Sequence, residues 1–145
     1  MNRSRIVDAG PLVAYIDKSE PLHKWAKSEF ANAEGTLITC EAVLTEVCFF
    51  LSKVSSGIES LMQFLERAPV LTVPIFEARR SQIKKLMATY HNVPMSFADA
   101  CLVQLSELYP DTPILTIDSD FLIYRRNRDE HLPVILPPSK RKHRS

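Results

Sequence analysis

Five short runs rich in aliphatic and β-branched residues, "RIVDAG", "TLITC", "VLTVPI", "PILTID" and "PVIL", are each separated from the next by a stretch with helical rhythm. This alternation constrains the chain more than any other feature. A helix carries the chain back across a sheet face, so each strand is returned to lie parallel to an earlier one. The expected fold is therefore α/β, with a largely parallel central sheet and helices on its two faces.

The helical stretches have readable ends. Pro11 suits the first turn of a helix through "PLVAYID", and Gly35 stops the one in "PLHKWAKSEFANAEG". In "EAVLTEVCFFLSKV", Val43, Val47, Phe50, Leu51 and Val54 are expected on one buried face, with Glu46 on or beside it. Further helices are expected in "GIESLMQFLERA", "EARRSQIKKLMATYHN" (one long helix), "SFADACLVQLSELYP" and "SDFLIYRR". With 145 residues, three glycines and no internal repeat, nothing reads as a linker, so one domain is expected over residues 1–138.

Composition adds exclusions. At 46% hydrophobic and 24% charged, the chain reads as an ordinary soluble globular protein. Residues 1–136 hold 14 Lys+Arg against 17 Asp+Glu, whereas "PPSKRKHRS" holds four basic residues and no acid. A mildly acidic body fits cation binding, and residues 139–145 are expected to be a disordered basic tail. Cys40, Cys48 and Cys101 lack paired metal spacing and lie in apolar stretches, as reduced core cysteines do. No signal-like or membrane-length apolar run is present, so a cytoplasmic protein is expected.

In a parallel sheet, ligands collect beyond the carboxyl ends of the strands. Asp8 follows "RIV" and Asp118 follows "ILTI" at that place, while Glu46 and Asp99 stand near the starts of helices. Asp120 lies just beyond Asp118. Each acid also has a structural reading: Asp8 as a turn residue, Asp99 as a capping-box partner of Ser96, Glu46 as a surface residue, Asp118 or Asp120 as a helix cap. Together those readings weaken, because Asp99 sits in "FADACLVQL" with no basic neighbour, and a buried acid needs a partner.

Carboxylates that share a cleft repel one another, and a divalent cation relieves the repulsion. Oxygen donors without a nearby His or Cys favour Mg²⁺ or Mn²⁺ over zinc. Such a constellation is a common solution for phosphodiester hydrolysis and needs no protein nucleophile. Thr116 and Ser96 are the small hydroxyls placed to orient a water or a carboxylate, or else simply a strand residue and a cap. Tyr124, Arg125, Arg126 and Arg128, in "YRRNR", are candidates for gripping phosphate or stacking a base, or else a solvated turn.

The stretches "VDAGPLVAYID", "ITCEAVLTEV", "VPMSFADACLVQL" and "ILTIDSDFLIYR" together resemble the PIN-domain ribonucleases, in particular the toxin subunits of VapBC toxin–antitoxin systems and their stand-alone relatives. Asp8, Glu46, Asp99 and Asp118 match the family's acids in order, and Asp120 matches an accessory acid. The resemblance implies a three-layer α/β/α domain and a Mg²⁺- or Mn²⁺-dependent endoribonuclease leaving 5′-phosphate and 3′-hydroxyl ends. It further implies an RNA substrate, a frequent homodimer and a possible antitoxin protein that fills the groove. On this reading Asp8, Asp99 and Asp118 are the main metal ligands, Glu46 helps hold the ion or its water, and Asp120 is a further ligand.

Two alternatives stay open at this level. A haloacid dehalogenase-type phosphatase also places D-x-D after a strand, as in "TIDSD", but fewer than thirty residues follow here, too few for that family's later motifs. A PIN-like fold can also bind RNA or protein without cutting.

Overall fold

The computed structural model describes residues 3–141. In chain order these form β1 (Arg5–Val7), α1 (Ala9–Ile16), α2 (His23–Asn32), β2 (Leu37–Thr39), α3 (Glu41–Leu51) and α4 (Gly57–Arg67). Then come β3 (Val70–Thr72), α5 (Ile75–Ala78), α6 (Arg80–Thr89), α7 (Phe97–Leu108) and β4 (Ile114–Leu115). A 3-10 turn over Ser119–Leu122 leads into β5 (Arg125–Arg126), β6 (Glu130–His131), β7 (Val134–Ile135) and α8 (Pro138–Arg141). The basic tail expected from residue 139 overlaps α8, and residues 142–145 lie outside the described residues.

The central sheet has the order β3-β2-β1-β4-β7, and every pairing in it is parallel. Helices flank it, as the alternation of strands and helices predicts. The inner strands are apolar on both faces: Ile6, Val7, Leu37, Ile38, Ile114 and Leu115 are all buried, as a sheet covered on both sides requires. Beside it, α7 is buried without interruption from Ala98 to Ser106, which makes it the central helix of the core.

Strand register brings two polar residues together at the sheet edge. Ile6 pairs with Ile114 and Val7 with Leu115, so the next residues along, Asp8 and Thr116, emerge side by side at the carboxyl edge. Asp8 still donates its N–H to the Leu115 carbonyl at 3.0 Å. Close approach there depends on Gly10, where an added Cβ would stand 2.5 Å from Ile117 Cγ1.

Three local expectations are corrected. The helix expected through "EARRSQIKKLMATYHN" is broken at Arg79, whose φ of −129° leaves the helical region. Its guanidinium reaches across to Gln104 and Glu107 on α7. The residues after Leu122 form not a helix but an antiparallel hairpin, β5 with β6, turning through Asn127 and Arg128 at positive φ. On α3 the buried stripe is Val43, Val47 and Leu51, spaced by four; Phe50, one position off it, is 58% exposed, and Val54 lies past the helix end. Cys40 and Cys101 are buried and Cys48 half-buried, all three free.

Candidate active site

At the carboxyl edge the acids are held by local hydrogen bonds that their sequence positions dictate. Asp8 ends β1 and caps α1: its Oδ1 accepts from the Ala9 N–H at 2.7 Å. Its Oδ2 accepts from the Thr116 hydroxyl at 2.6 Å, and the same hydroxyl accepts from the Asp118 N–H at 3.0 Å. Asp118 caps the following 3-10 turn through the Asp120 N–H at 2.9 Å. One threonine thus ties the ends of two adjacent strands together.

Asp99 occupies the third position of α7 in a complete capping box with Ser96: the Asp99 N–H donates to Ser96 Oγ at 3.0 Å, and the Ser96 N–H donates to Asp99 Oδ2 at 3.3 Å. The capping reading is therefore correct as structure. It leaves the carboxylate in the cleft all the same, and the same oxygen accepts from the Tyr124 hydroxyl at 2.8 Å. Asp8, Glu46, Ser96, Asp99 and Asp118 all line one groove of about 750 Å³. Asp120 does not line it, though its charge is near enough to act on Tyr124.

The groove is electrostatically tense. Burial, with lesser contributions from Asp99 and Glu46, pushes the Asp8 carboxyl up to about 7 against the pull of its two hydrogen bonds. Burial also raises Asp99, opposed by Tyr124 and Ser96, and raises Glu46, with Asp99 adding to it. Among the described residues no basic side chain lines the groove to relieve this.

None of the four candidate RNA contacts lines this groove. Tyr124 is wholly buried and serves Asp99; burial and Asp99 hold its hydroxyl firmly protonated. Arg126 is buried too, donating to the Ser106 carbonyl at 2.6 Å, the Pro110 carbonyl at 3.0 Å and Glu130. Arg125 turns back to the carbonyls of Leu122, Ile123 and Tyr124. Arg125 and Arg128 line a different recess of about 360 Å³, together with Lys85, Tyr90 and Gln104. In their place the groove presents Phe49, Phe50 and Pro94. Sequence reasoning misses those three, and its spacing places Phe50 on the buried face of α3 instead.

A family model described as PIN domain matches residues 5–127. The chain belongs to the PIN domain family. Its members are nucleases, and the four acids that carried the resemblance fall within the matched span. The fold of this PIN domain is similar to the crystal structure of VapC20 from Mycobacterium tuberculosis, described as a sarcin-ricin loop cleaving toxin, with a TM-score of 0.66 and 17% identity over 75% of this chain and 85% of that one. No curated protein matches the chain.

The donor set suits a hard divalent ion, being all oxygen and anionic. Among the described residues no group of three or more His, Cys, Asp or Glu side chains is placed to hold a metal ion. Mg²⁺ does not demand one, since it keeps several waters and uses one or two carboxylates together with substrate phosphate. Asp8 and Asp99 meanwhile satisfy their charge with hydroxyl and N–H donors.

Proposed function

We propose that this PIN domain is a Mg²⁺- or Mn²⁺-dependent endoribonuclease, the toxin of a VapC-type toxin–antitoxin pair. The observation that carries the reading is the convergence of Asp8, Glu46, Asp99 and Asp118 on one groove that, among the described residues, no cation lines. Family membership and the likeness in fold to a cleaving toxin support it. The match to a PIN model leaves the phosphatase alternative without support.

Asp8, Asp99 and Asp118 would hold the ion, Glu46 would steady it or its water, and Asp120 would assist. When bound, the ion neutralises charge on the phosphate and acidifies water. The chain's own residues do the rest. Thr116 and the Ala9 N–H fix both oxygens of Asp8, and Ser96 and Tyr124 fix one oxygen of Asp99, so the acids meet substrate already oriented. With its carboxyl raised to about 7, Asp8 exchanges a proton near neutral pH when no ion is present. Cleavage leaves 5′-phosphate and 3′-hydroxyl ends. The partners would be RNA, a cognate antitoxin and a second copy of the chain.

The test is a mixed RNA pool incubated with protein in Mg²⁺ or Mn²⁺, beside EDTA and Asp8→Asn controls. Cleavage should require metal and vanish in the variant. Full activity in Asp8→Asn would sink the assignment. RNA binding without cleavage, surviving both chelation and Asp8→Asn, would mark a binding module instead.

A further inference from the structure

The recess of about 360 Å³ that holds Arg125 and Arg128 shares no lining residue with the carboxylate groove. It is built from α6, α7 and the β5–β6 hairpin, and its charge is opposite to that of the groove. Lys85 comes from α6 and the two arginines from the hairpin, while Glu107 of α7 is the one acid among the lining residues. Three cations less one carboxylate give the lining a formal charge of +2.

The acid is already satisfied. Glu107 Oε1 pairs with Arg79 at 3.4 Å, and its Oε2 accepts from the Asn127 N–H at 2.9 Å. The cations are not. Lys85 and Arg128 form no ion pair among the described residues, and Arg125 commits only Nη1, to three carbonyls. Gln104 adds a neutral donor. It is 1% exposed, and its Oε1 accepts from Arg79, which can only donate, at 3.1 Å. Its amide nitrogen is thus left to donate into the recess that Gln104 lines, and it gains most from a ligand that accepts.

We infer that this recess binds a phosphate monoester on a nucleotide-sized body. Lys85, Arg128 and the Gln104 amide hold the phosphate, and Leu86 and Tyr90 wall the organic part. A phosphate monoester carries about −1.5 to −2 charges near neutral pH and three acceptor oxygens, which answers a +2 lining that donates from three elements. A carboxylate, the group an acidic protein partner would insert, has one charge and two oxygens and leaves donors unanswered. A concavity of a few hundred Å³ also encloses a small molecule, whereas a protein partner covers a broad surface. The phosphate can belong to a free nucleotide or to the 5′ end of an RNA, since the chemistry is the same. The inference stands apart from the nuclease reading, because it uses none of the groove's residues.

Binding is measured in EDTA, so that no metal bridges the ligand to the carboxylates, by calorimetry and by the side-chain amide resonance of Gln104. The probes are adenosine and uridine 5′-monophosphate, compared with inorganic phosphate, uridine and a glutamate-rich peptide. Both nucleotides should bind and shift the Gln104 amide, inorganic phosphate should bind more weakly, and uridine should not bind. Lys85→Ala and Arg128→Ala, both at exposed positions, should each weaken nucleotide binding roughly 5- to 50-fold. Lys84→Ala removes the same charge one position away, outside the recess, and should leave binding unchanged. An oligonucleotide that competes with the nucleotides only when it carries a 5′-phosphate supports the site and names an RNA end as its ligand. Nucleotide binding without that competition supports the site and names a free nucleotide.

Four results overturn it: no nucleotide bound by the folded wild-type protein, uridine bound as tightly as its monophosphate, Lys84→Ala as damaging as Lys85→Ala, as a diffuse positive field would give, or the acidic peptide bound more tightly than either nucleotide. A protein that cuts RNA but binds no nucleotide here loses only this inference. One that binds nucleotide here but cuts no RNA loses only the nuclease reading.

Discussion

Thr116 places a single buried hydroxyl between two acids, donating to Asp8 and accepting from the Asp118 N–H. Its loss leaves that N–H without its partner, so Thr116→Val should cost about 1–3 kcal/mol in urea denaturation. It should also drive the Asp8 carboxyl higher, because the Thr116 bond is the largest influence holding it down. Unchanged stability would contradict this role. Asp8 itself gives a prediction with a definite sign. Its folded value of about 7 lies above the ordinary 3.8, so the folded chain keeps a proton that the unfolded chain loses. The associated stability is full below about pH 4 and is lost as pH rises through about 7, up to roughly 4 kcal/mol in all. In EDTA, wild type should therefore be less stable at pH 8 than at pH 5. Asp8→Asn, which can still cap α1, should flatten much of that slope and exceed wild type at pH 8. A variant less stable than wild type at pH 8 would reverse the argument. The acids of the groove were visible in the sequence, Asp8 and Asp118 at strand ends and Asp99 at a helix start, whereas Glu46 stands in the middle of α3. Thr116 was legible only as a hydroxyl beside them, because a threonine in a strand is ordinary until the register sets it next to Asp8.

Among the elements, the long alternating ones were readable and the short ones were not. A three-residue strand such as Leu37–Thr39 still announces itself by continuous burial and its flanking breaks. The two-residue strands of the β5–β6 hairpin are too short to carry any period, and "SDFLIYRR" read as helix. The hairpin also fixes where Arg126 goes. Arg126 ties the hairpin to the end of α7, giving its guanidinium to the carbonyls of Ser106 and Pro110 where the helix terminates. Its role is thus to join two elements. Arg126→Met should lower stability by about 2–3 kcal/mol in chemical denaturation. At a temperature where the variant is folded, the salt dependence of RNA affinity should match wild type, because no phosphate contact has been lost. A shallower salt slope in Arg126→Met would return Arg126 to the RNA-binding surface. On α3 period is not decisive: Val43, Val47 and Leu51 drift along the core stripe, and Phe50, seven residues after Val43, falls only about 20° beyond its edge, so its exposure could not be read from spacing.

At the scale of the whole molecule, a parallel sheet brings every strand's carboxyl end to one edge, and this chain puts its acids there. The fold class followed from alternation alone. The groove did not, because it is made by the order β3-β2-β1-β4-β7, which makes β1 and β4 neighbours although more than a hundred residues lie between them. No local pattern reports that adjacency. The body of the molecule carries more acid than base, and among the described residues no positive side chain lines the groove to answer the carboxylates. Metal binding should therefore act as a global stabiliser. An ion at 100 times its Kd adds about 2.7 kcal/mol to the folded state, which moves the Tm of a chain this size by several degrees. Mg²⁺ or Mn²⁺ should raise the Tm of wild type and leave Asp8→Asn almost unmoved. Protons compete for the same oxygens: below its value of about 7 the Asp8 carboxyl is largely protonated, and the ion must displace that proton. The metal-induced rise should accordingly be small at pH 5.5 and grow toward pH 8, the opposite trend to the metal-free stability. Thermal melts at both pH values, with and without metal, test both trends on one protein. A shift of equal size in Asp8→Asn, or one that does not change with pH, would place the ion somewhere other than among these carboxylates.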